Sequence, residues 1–173
     1  MYRAGTEQSL RCTGCVSVVV DDLQAFALLI TANAVPVIVG KLARERGSLP
    51  LDFECVMPDG ERLFGSHKTW RGLASGVVAC ALLAAWFDLP IWLGAGFAAL
   101  SLLADACSSA VKRRMRLKPG SEVLWLDQLA EALVPLLVFS KPLGLQAGEI
   151  ALVTACFVAL DAATAGLRHR RWL

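Results

Sequence analysis

Five long apolar stretches divide this chain, and they limit the folds open to it more than any other feature of the sequence. They cover residues 23–40, 72–89, 90–110, 124–145 and 149–167. A helix needs roughly 20 residues to cross the hydrocarbon core of a bilayer, and each stretch approaches that length. The apolar fraction of 56% also exceeds the roughly 45–50% that is usual in soluble domains. The sequence therefore predicts an all-α integral membrane protein with five transmembrane helices.

The distribution of cations predicts how these helices are oriented. With five crossings, fourteen of the seventeen Lys and Arg residues fall on one side, in segments 41–71, 112–118 and 168–171. Cytoplasmic loops of membrane proteins carry an excess of Lys and Arg. We therefore expect the N-terminus outside, the C-terminus inside and two long cytoplasmic loops, in a multi-pass protein of the cell (inner) membrane. Residues 1–22 are expected to form an extension with little structure, and residues 23–173 a single membrane-embedded domain.

Two acids lie at the ends of neighbouring apolar stretches and bracket a cationic loop. Asp105 lies near the end of the third stretch and Asp127 near the start of the fourth, with five cations between them. Glu131 follows Asp127 by four residues, which places it on the same helix face, one turn deeper. Carboxylates placed in this way would hold a magnesium-complexed polyphosphate. The alternative is a salt bridge within the membrane, for example from Asp105 to Lys112 or Arg113.

The end of the first long loop offers a second set of candidate phosphate-binding groups. Lys68 and Arg71 would supply charged donors and Thr69 a hydroxyl donor, and glycines on both sides of them permit close backbone approach. The alternative is a basic loop that contacts anionic lipid headgroups. The spacing of these residues favours neither interpretation.

Asn33 and Pro36 place a polar side chain and a helix breaker together in the first apolar stretch. Proline has no N–H, so it leaves the carbonyl of residue 32 without its usual donor and kinks the helix. The kink would either line a substrate cavity or bend the helix around its neighbours. Pro135 raises the same two alternatives in the fourth stretch.

Several short motifs occur in the order found in the CDP-archaeol synthases, and the chain resembles that family. The motifs are Asn33-Ala-Val-Pro36, Phe64-Gly-Ser-His-Lys-Thr-Trp-Arg-Gly72, Ser109-Ala-Val-Lys-Arg-Arg114, Leu117-Lys-Pro-Gly120 and Leu126-Asp-Gln-Leu129. The likeness covers about residues 25–165, and the second half is also similar to bacterial phosphatidate cytidylyltransferases. A composition rich in Ala, Leu and Arg but poor in Lys suits a bacterial member.

The resemblance implies the transfer of CMP from CTP to a membrane lipid phosphate, with Mg²⁺ as cofactor. It implies that Asp105, Lys112 and Asp127 are catalytic, and that Asp105 and Asp127 bind the metal, with Glu131 as a further ligand. The substrate-binding residues that it implies are Asn33, Lys68, Thr69, Arg71, Ser109, Arg113, Lys118 and Gln128. The expected partners are CTP, a lipid phosphate and the lipid bilayer, with no nucleic acid. We also expect a homodimer, because five helices barely enclose a cavity for a nucleotide and a lipid.

The chain departs from the family pattern at three positions. Ala104 and Ser108 stand where the family usually has glycine, and Ala130 stands where it usually has a second acid. The added side chains narrow the space for a nucleotide, and the lost acid would weaken a second magnesium site. One alternative is therefore a catalytically degenerate protein that binds nucleotide or lipid. Another is a lipid kinase, which would depend on ATP.

Overall fold

The computed structural model describes residues 4–43, 49–53, 55, 64, 68–115 and 124–170, and five α-helices account for most of them. The helices are α1 (Ala4–Leu42), α2 (Trp70–Trp86), α3 (Ile91–Arg114), α4 (Leu124–Val138) and α5 (Ala147–Arg170). Each helix overlaps one of the five predicted apolar stretches. Among these residues the only β-type pairing is one bridge, between Pro50 and Thr69. The prediction of an all-helical protein is confirmed.

In the described part of the chain, three helical segments are long and apolar enough to cross a membrane: Val19–Leu42, Ile91–Lys112 and Ala147–Thr164. The α2 helix and the Gln128–Val138 part of α4 are apolar but shorter. At 1.5 Å per residue, α2 is about 26 Å long, slightly less than the roughly 30 Å hydrocarbon core. The α1 helix begins at Ala4, so the backbone is helical through most of segment 1–22, for which the sequence suggests little structure.

The helices pack in chain order, and α5 returns to contact α1. The α3 helix also packs against α1, so it touches three of the other four helices. Apolar side chains fill the centre of this bundle, and the largest of those that are fully buried are Leu28, Leu29, Leu93, Phe97 and Leu136. The outer surface is also apolar, with Leu82, Trp92 and Leu152 each more than half exposed. An apolar core inside an apolar surface is typical of a protein surrounded by lipid.

Two glycines allow unusually close contact between the first three helices. A Cβ atom at Gly94 in α3 would lie 2.2 Å from the carbonyl oxygen of Cys80 in α2. A Cβ atom at Gly76 in α2 would lie 2.8 Å from Leu102 Cδ1 in α3 and 3.2 Å from Pro36 Cγ in α1. Small residues at helix contacts are a common feature of membrane proteins, because they let the backbones approach.

The α4 helix ends earlier than the apolar pattern predicts. The fourth apolar stretch extends to residue 145, but α4 ends at residue 138 and the chain then turns. Gly144 adopts a left-handed conformation in this turn, with a φ of 69°. Phe139 and Leu143 are buried there, and hydropathy does not distinguish them from core residues of a helix. At the start of α5, Glu149 Oε2 accepts a 2.7 Å hydrogen bond from the Gln146 N–H, which is one of the two bonds of a capping box.

Candidate active site

The ammonium group of Lys68 contacts the carboxylate of Asp105, and this ion pair joins the first long loop to α3. The two residues are 37 positions apart in the chain, and their side chains are 27% and 18% exposed. The sequence predicts a site role for each residue from a separate motif. The structure therefore brings a predicted phosphate-binding cation to a predicted metal-binding acid. The cation seen at Asp105 comes from the loop, whereas the sequence suggests Lys112 or Arg113 as its salt-bridge partner.

Backbone pairing within the loop fixes the position of Lys68. The Leu51 N–H donates a 2.7 Å hydrogen bond to the Lys68 carbonyl, and the Trp70 N–H donates one of 3.1 Å to the Leu49 carbonyl. These bonds form the antiparallel bridge that precedes α2. The backbone of Lys68 is therefore held in place by hydrogen bonds, which fixes the position from which its side chain reaches Asp105.

Asp52 organises the same loop, and the sequence gives no prediction for it. This residue is buried, with 5% of its surface exposed. One of its carboxylate oxygens accepts a 3.4 Å hydrogen bond from the Phe64 N–H, and its carbonyl accepts one of 2.8 Å from the Cys55 N–H. The signal for this role is weak, because an acid soon after Pro50 is typical of many turns.

The N-terminus of α2 lies directly beside Lys68. Thr69 is the N-cap residue of this helix, and its hydroxyl accepts a 3.2 Å hydrogen bond from the Gly72 N–H. Arg71 is half-buried in the first turn. Backbone N–H groups at a helix N-terminus attract anions, and two cations flank them here. Thr69, predicted to bind substrate, therefore also has a structural role as a cap.

The predicted motif of α1 reaches the same region. A Cβ atom at Gly72 would lie 3.5 Å from Pro36 Cβ, so the proline of α1 packs against the start of α2. Asn33 lies one turn earlier in α1, and its amide nitrogen donates a 3.1 Å hydrogen bond to the Leu29 carbonyl. Three predicted motifs, from α1, the loop and α3, thus converge on the N-terminus of α2.

The end of α3 carries the next group of predicted residues. The Ser108 hydroxyl donates a 2.8 Å hydrogen bond to the carbonyl of Asp105, and Ser108 is 6% exposed. Ser109 and Lys112 follow on the same helix and are half-buried. The side chains of Arg113 and Asp127, and the whole of Lys118, lie outside the described residues, so their predicted roles stay predictions.

The first turns of α4 contact α5 through two polar side chains. The Gln128 amide nitrogen donates to the carboxylate of Asp161 in α5, a partner that the sequence does not indicate. Gln128 is 5% exposed, and its Oε1 atom has no hydrogen-bond partner among the described residues. Glu131 is half-buried one turn further along α4.

The acids that the structure describes suit a magnesium ion shared with a nucleotide. In such sites Mg²⁺ usually takes one or two carboxylates, and substrate phosphates and water complete the octahedron. Asp105 offers a partly exposed carboxylate beside a cation, and Asp127 would offer the second. In the described part of the chain, no group of three or more His, Cys, Asp or Glu residues could hold a metal. The carboxylate of Asp105 suits an ion that substrate phosphates also hold. Asp127 and Glu131 as further ligands stay predictions.

Comparison with known proteins identifies the family. A sequence model of the CarS-like CDP-archaeol synthases matches residues 17–89 and 87–165. The chain belongs to the CDP-archaeol synthase family. The predicted resemblance is confirmed, and the fold agrees with it. A solved structure of an intramembrane enzyme for archaeal membrane lipids biosynthesis superimposes with a TM-score of 0.66 and 30% identity, covering 83% of this chain and 91% of that one.

Individual CDP-archaeol synthases match over different shares of their length. The Thermofilum pendens protein is 38% identical over 118 residues, so the match covers 64% of this chain and 58% of that relative. The Thermococcus onnurineus protein is 38% identical over 141 residues, which is 73% of this chain and 79% of the relative. For the Pyrococcus furiosus protein the identity is 34% over 149 residues, covering 76% and 83%.

A groove of about 310 Å³ lies between α3 and α4. The described residues that line it are Ala104, Cys107, Ser108, Val111, Ala130 and Val134. They include Ala104, Ser108 and Ala130, the three positions at which the resemblance implies a departure from the family pattern. The departures therefore cluster on one surface, rather than being spread over the site that surrounds Lys68 and Asp105.

Proposed function

We propose that this protein transfers CMP from CTP to a membrane lipid phosphate and releases pyrophosphate. Formation of a CDP-activated lipid from CTP is the activity that its membership of the CDP-archaeol synthase family supports. The observation in this protein that supports the proposal is the contact between Lys68 and Asp105. It joins a cation suited to a phosphate group with an acid suited to a metal ion, at the end of a membrane helix.

The reaction requires charge neutralisation more than covalent chemistry from the protein. An oxygen of the lipid phosphate attacks the α-phosphorus of CTP and forms a new P–O bond. The bond from the α-phosphorus to the bridging oxygen breaks, and pyrophosphate leaves with the electron pair. Both reactants are anions, so positioned cations lower the barrier by offsetting their repulsion. We assign this role to Lys68, Arg71, Lys112 and Arg113.

The acids complete the proposed site. Asp105 and Asp127 would hold Mg²⁺, with Glu131 as a further ligand, and the bound ion would neutralise charge on the phosphates. Lys68 orients the Asp105 carboxylate before the nucleotide binds. Ser109 and Thr69 would donate hydroxyl hydrogen bonds to phosphate oxygens. The remaining contacts with substrate are assigned to Asn33, Lys118 and Gln128.

We propose further that all five helices cross the cell (inner) membrane, with the N-terminus outside and the C-terminus inside. This orientation places Lys68, Asp105 and the cationic end of α3 on the cytoplasmic side, where CTP is available. It is supported by the distribution of Lys and Arg between the two sides. The short α2 would cross with slight local thinning of the bilayer. A homodimer is part of the same proposal.

The position of a radioactive label tests the reaction against both alternatives. Purified protein in detergent is given Mg²⁺ and a panel of lipid phosphates. The nucleotide is CTP labelled on either the α- or the γ-phosphate, or ATP labelled on the γ-phosphate. Label from the α-phosphate alone should enter the lipid, and chelation of Mg²⁺ should stop it. Transfer of a γ-phosphate, from CTP or ATP, would identify a lipid kinase. Binding of CTP without any transfer would identify a degenerate protein. The panel includes archaeal-type ether lipids and phosphatidate, because the acceptor that reacts names the substrate.

A pair of matched variants links this activity to the proposed site. Asp105→Asn removes the carboxylate that contacts Lys68 and should reduce transfer to background. Asp88→Asn is the control, because Asp88 is exposed in the turn between α2 and α3. Its φ of 57° is one that asparagine tolerates well. Equal activity in both variants would contradict the site.

A further inference from the structure

We propose that the loop that supplies Lys68 rests on the lipid bilayer through three exposed apolar side chains, Leu49, Phe53 and Trp70, which we call the loop anchor. The partner is the interface of the bilayer, where the lipid headgroups meet the hydrocarbon core. The inference rests on the proposed function in one respect, because it takes α2 to cross the membrane.

The tryptophans at the two ends of α2 mark the two boundaries of the bilayer. Trp70 is the first residue of this helix and Trp86 is the last, and both are exposed. They lie about 24 Å apart along the helix axis, close to the roughly 30 Å of the hydrocarbon core. Val78 and Leu82 lie between them and are also exposed, so apolar surface extends from one tryptophan to the other. Tryptophan is enriched at both interfaces of a membrane, which places Trp70 at the boundary on the side of Lys68.

The loop brings two further apolar side chains to the same boundary. The Phe53 ring packs against the Trp70 ring, with centroids 5.9 Å apart and planes inclined by 44°. The Trp70 N–H donates a 3.1 Å hydrogen bond to the Leu49 carbonyl. Leu49 is nevertheless 63% exposed and Phe53 69% exposed. Transfer of apolar surface out of water is favourable, and the bilayer around α2 is the apolar medium that adjoins these side chains.

The backbone of Phe53 indicates that its side chain has a role of its own. Its φ is 47°, in the left-handed region that a bulky residue rarely adopts. The Phe53 N–H donates a 3.2 Å hydrogen bond to the Pro50 carbonyl, so the residue closes a tight turn. Glycine makes such a turn without steric cost. Strained residues persist where the structure uses their side chains, and we assign this ring to contact with lipid.

The loop anchor and the active site share one short piece of backbone. The Lys68 ammonium contacts the Asp105 carboxylate, and Trp70 follows two residues later. The Leu51 N–H donates a 2.7 Å hydrogen bond to the Lys68 carbonyl, which joins segment 49–53 to the same bridge. An interaction that holds this segment on the bilayer therefore also holds Lys68 beside Asp105.

Quenching of tryptophan fluorescence by brominated lipids measures the depth of each side chain. Each test protein is the full chain with a single tryptophan and phenylalanine at the other tryptophan positions. It is placed in vesicles of phosphatidylglycerol and phosphatidylcholine, the latter brominated either near the headgroup or near the chain ends. The single tryptophan is Trp70 itself or is introduced as Phe53→Trp or Val78→Trp, the mid-helix control. For Trp70 and Phe53→Trp, quenching should be about twofold stronger with shallow bromine, and Val78→Trp should show the reverse.

Three results would contradict the loop anchor. Phe53→Trp that is quenched by aqueous acrylamide but not by brominated lipid, beside a quenched Trp70, would place the loop in water. Phe53→Trp that neither reagent quenches would mean that protein covers the position. A Trp70 that brominated lipid does not quench would overturn the crossing of α2 and the loop anchor together.

Two substitutions at Phe53 test the effect on catalysis in the otherwise unchanged chain. Phe53→Glu and Phe53→Leu both keep a side chain on the left-handed backbone, but only glutamate brings a charge to the interface. If the loop is docked in only one fifth of the Phe53→Glu molecules, its KM for CTP in vesicles should rise about fivefold. Phe53→Leu should stay within about twofold of the unchanged protein. Equal KM values in the two variants would contradict the link between the loop anchor and Lys68.

The fluorescence measurement does not depend on turnover, which separates this proposal from the proposed function. Shallow quenching of Phe53→Trp without CDP-lipid formation by the unchanged protein would support the loop anchor and count against the function. CDP-lipid formation together with an unquenched Phe53→Trp would overturn the loop anchor and leave the function standing.

Discussion

The hydroxyl of Ser101 in α3 donates a 2.9 Å hydrogen bond to the carbonyl oxygen of Glu131 in α4. Pro135 lies four residues after Glu131 and has no N–H, so Ser101 replaces the donor that the helix itself lacks. Ser101 lies four residues before Asp105, and Glu131 four residues after Asp127. The bond therefore ties together the two helices that carry the candidate metal-binding acids, one turn from each acid.

A double-mutant cycle tests whether Ser101 compensates for the proline. Ser101→Ala should lower the free energy of unfolding by about 1 kcal/mol, because the Glu131 carbonyl loses its donor in a dry interior. In a Pro135→Ala background the backbone N–H of residue 135 is restored, so the same substitution should cost much less. Thermal or denaturant unfolding in detergent measures all four proteins. Equal costs in the two backgrounds would show that the bond does not serve this purpose.

The role of Lys68 is tested by steady-state kinetics. Lys68→Ala should raise the KM for CTP about tenfold, equivalent to about 1.4 kcal/mol, because a phosphate loses its cation. Lys68→Arg keeps the charge and should recover part of the loss. Lys41→Ala is the control, since Lys41 is an exposed cation in the last turn of α1. An unchanged KM for CTP in Lys68→Ala would favour the alternative, in which the loop contacts lipid headgroups.

Removal of the second candidate metal ligand should separate activity from folding. Asp127→Asn should abolish transfer of the α-phosphate label, because the amide is a weaker ligand for Mg²⁺ than the carboxylate. Its melting temperature in detergent should stay close to that of the unchanged protein. Titration with Mg²⁺ is the second measurement, since higher concentrations should increase any residual activity. Full turnover at ordinary Mg²⁺ would remove Asp127 from the metal site.

Two glycine substitutions should differ in their effect on the free energy of unfolding, because only one of the glycines lies at the contact between α2 and α3. Gly94→Ala places a methyl group 2.2 Å from the Cys80 carbonyl, so the helices must separate, at a cost of about 1–3 kcal/mol. A methyl group at Gly148 in α5 would meet no atom within 4 Å, so Gly148→Ala should be neutral or stabilise by up to about 1 kcal/mol. Unfolding in detergent distinguishes the two. Similar stabilities would mean that α2 and α3 are less closely packed.

The sequence predicts the helices well, because an apolar run of about 20 residues rarely forms anything other than a membrane-spanning helix. The C-terminal end of α4 is not predicted, because Phe139 and Leu143 are buried in the following turn as completely as they would be in a helix. Apolar composition reports burial in both cases and carries no information on backbone conformation. The left-handed Gly144 is visible in the sequence only as one glycine among fourteen.

The site shows a similar division. Short motifs identify Lys68 and Asp105 as candidates, but their contact spans 37 residues and depends on how the loop folds back. That folding uses Asp52, which lies in no recognised motif. The Gln128 contact with Asp161 has the same origin, since it depends on the packing of α4 against α5. Short sequence motifs identify the functional side chains, whereas the packing of distant segments determines which side chains they contact.

Gly76 has a consequence for how the protein is made. Its surroundings come from three segments: Ala32 and Pro36 precede it in the chain, and Leu102 follows 26 residues later. When α1 and α2 leave the ribosome, one wall of this contact has not yet been synthesised. The first two helices are therefore an incomplete packing unit in the membrane. Their final crossing is set only when α3 arrives, the helix that also brings Asp105 to Lys68.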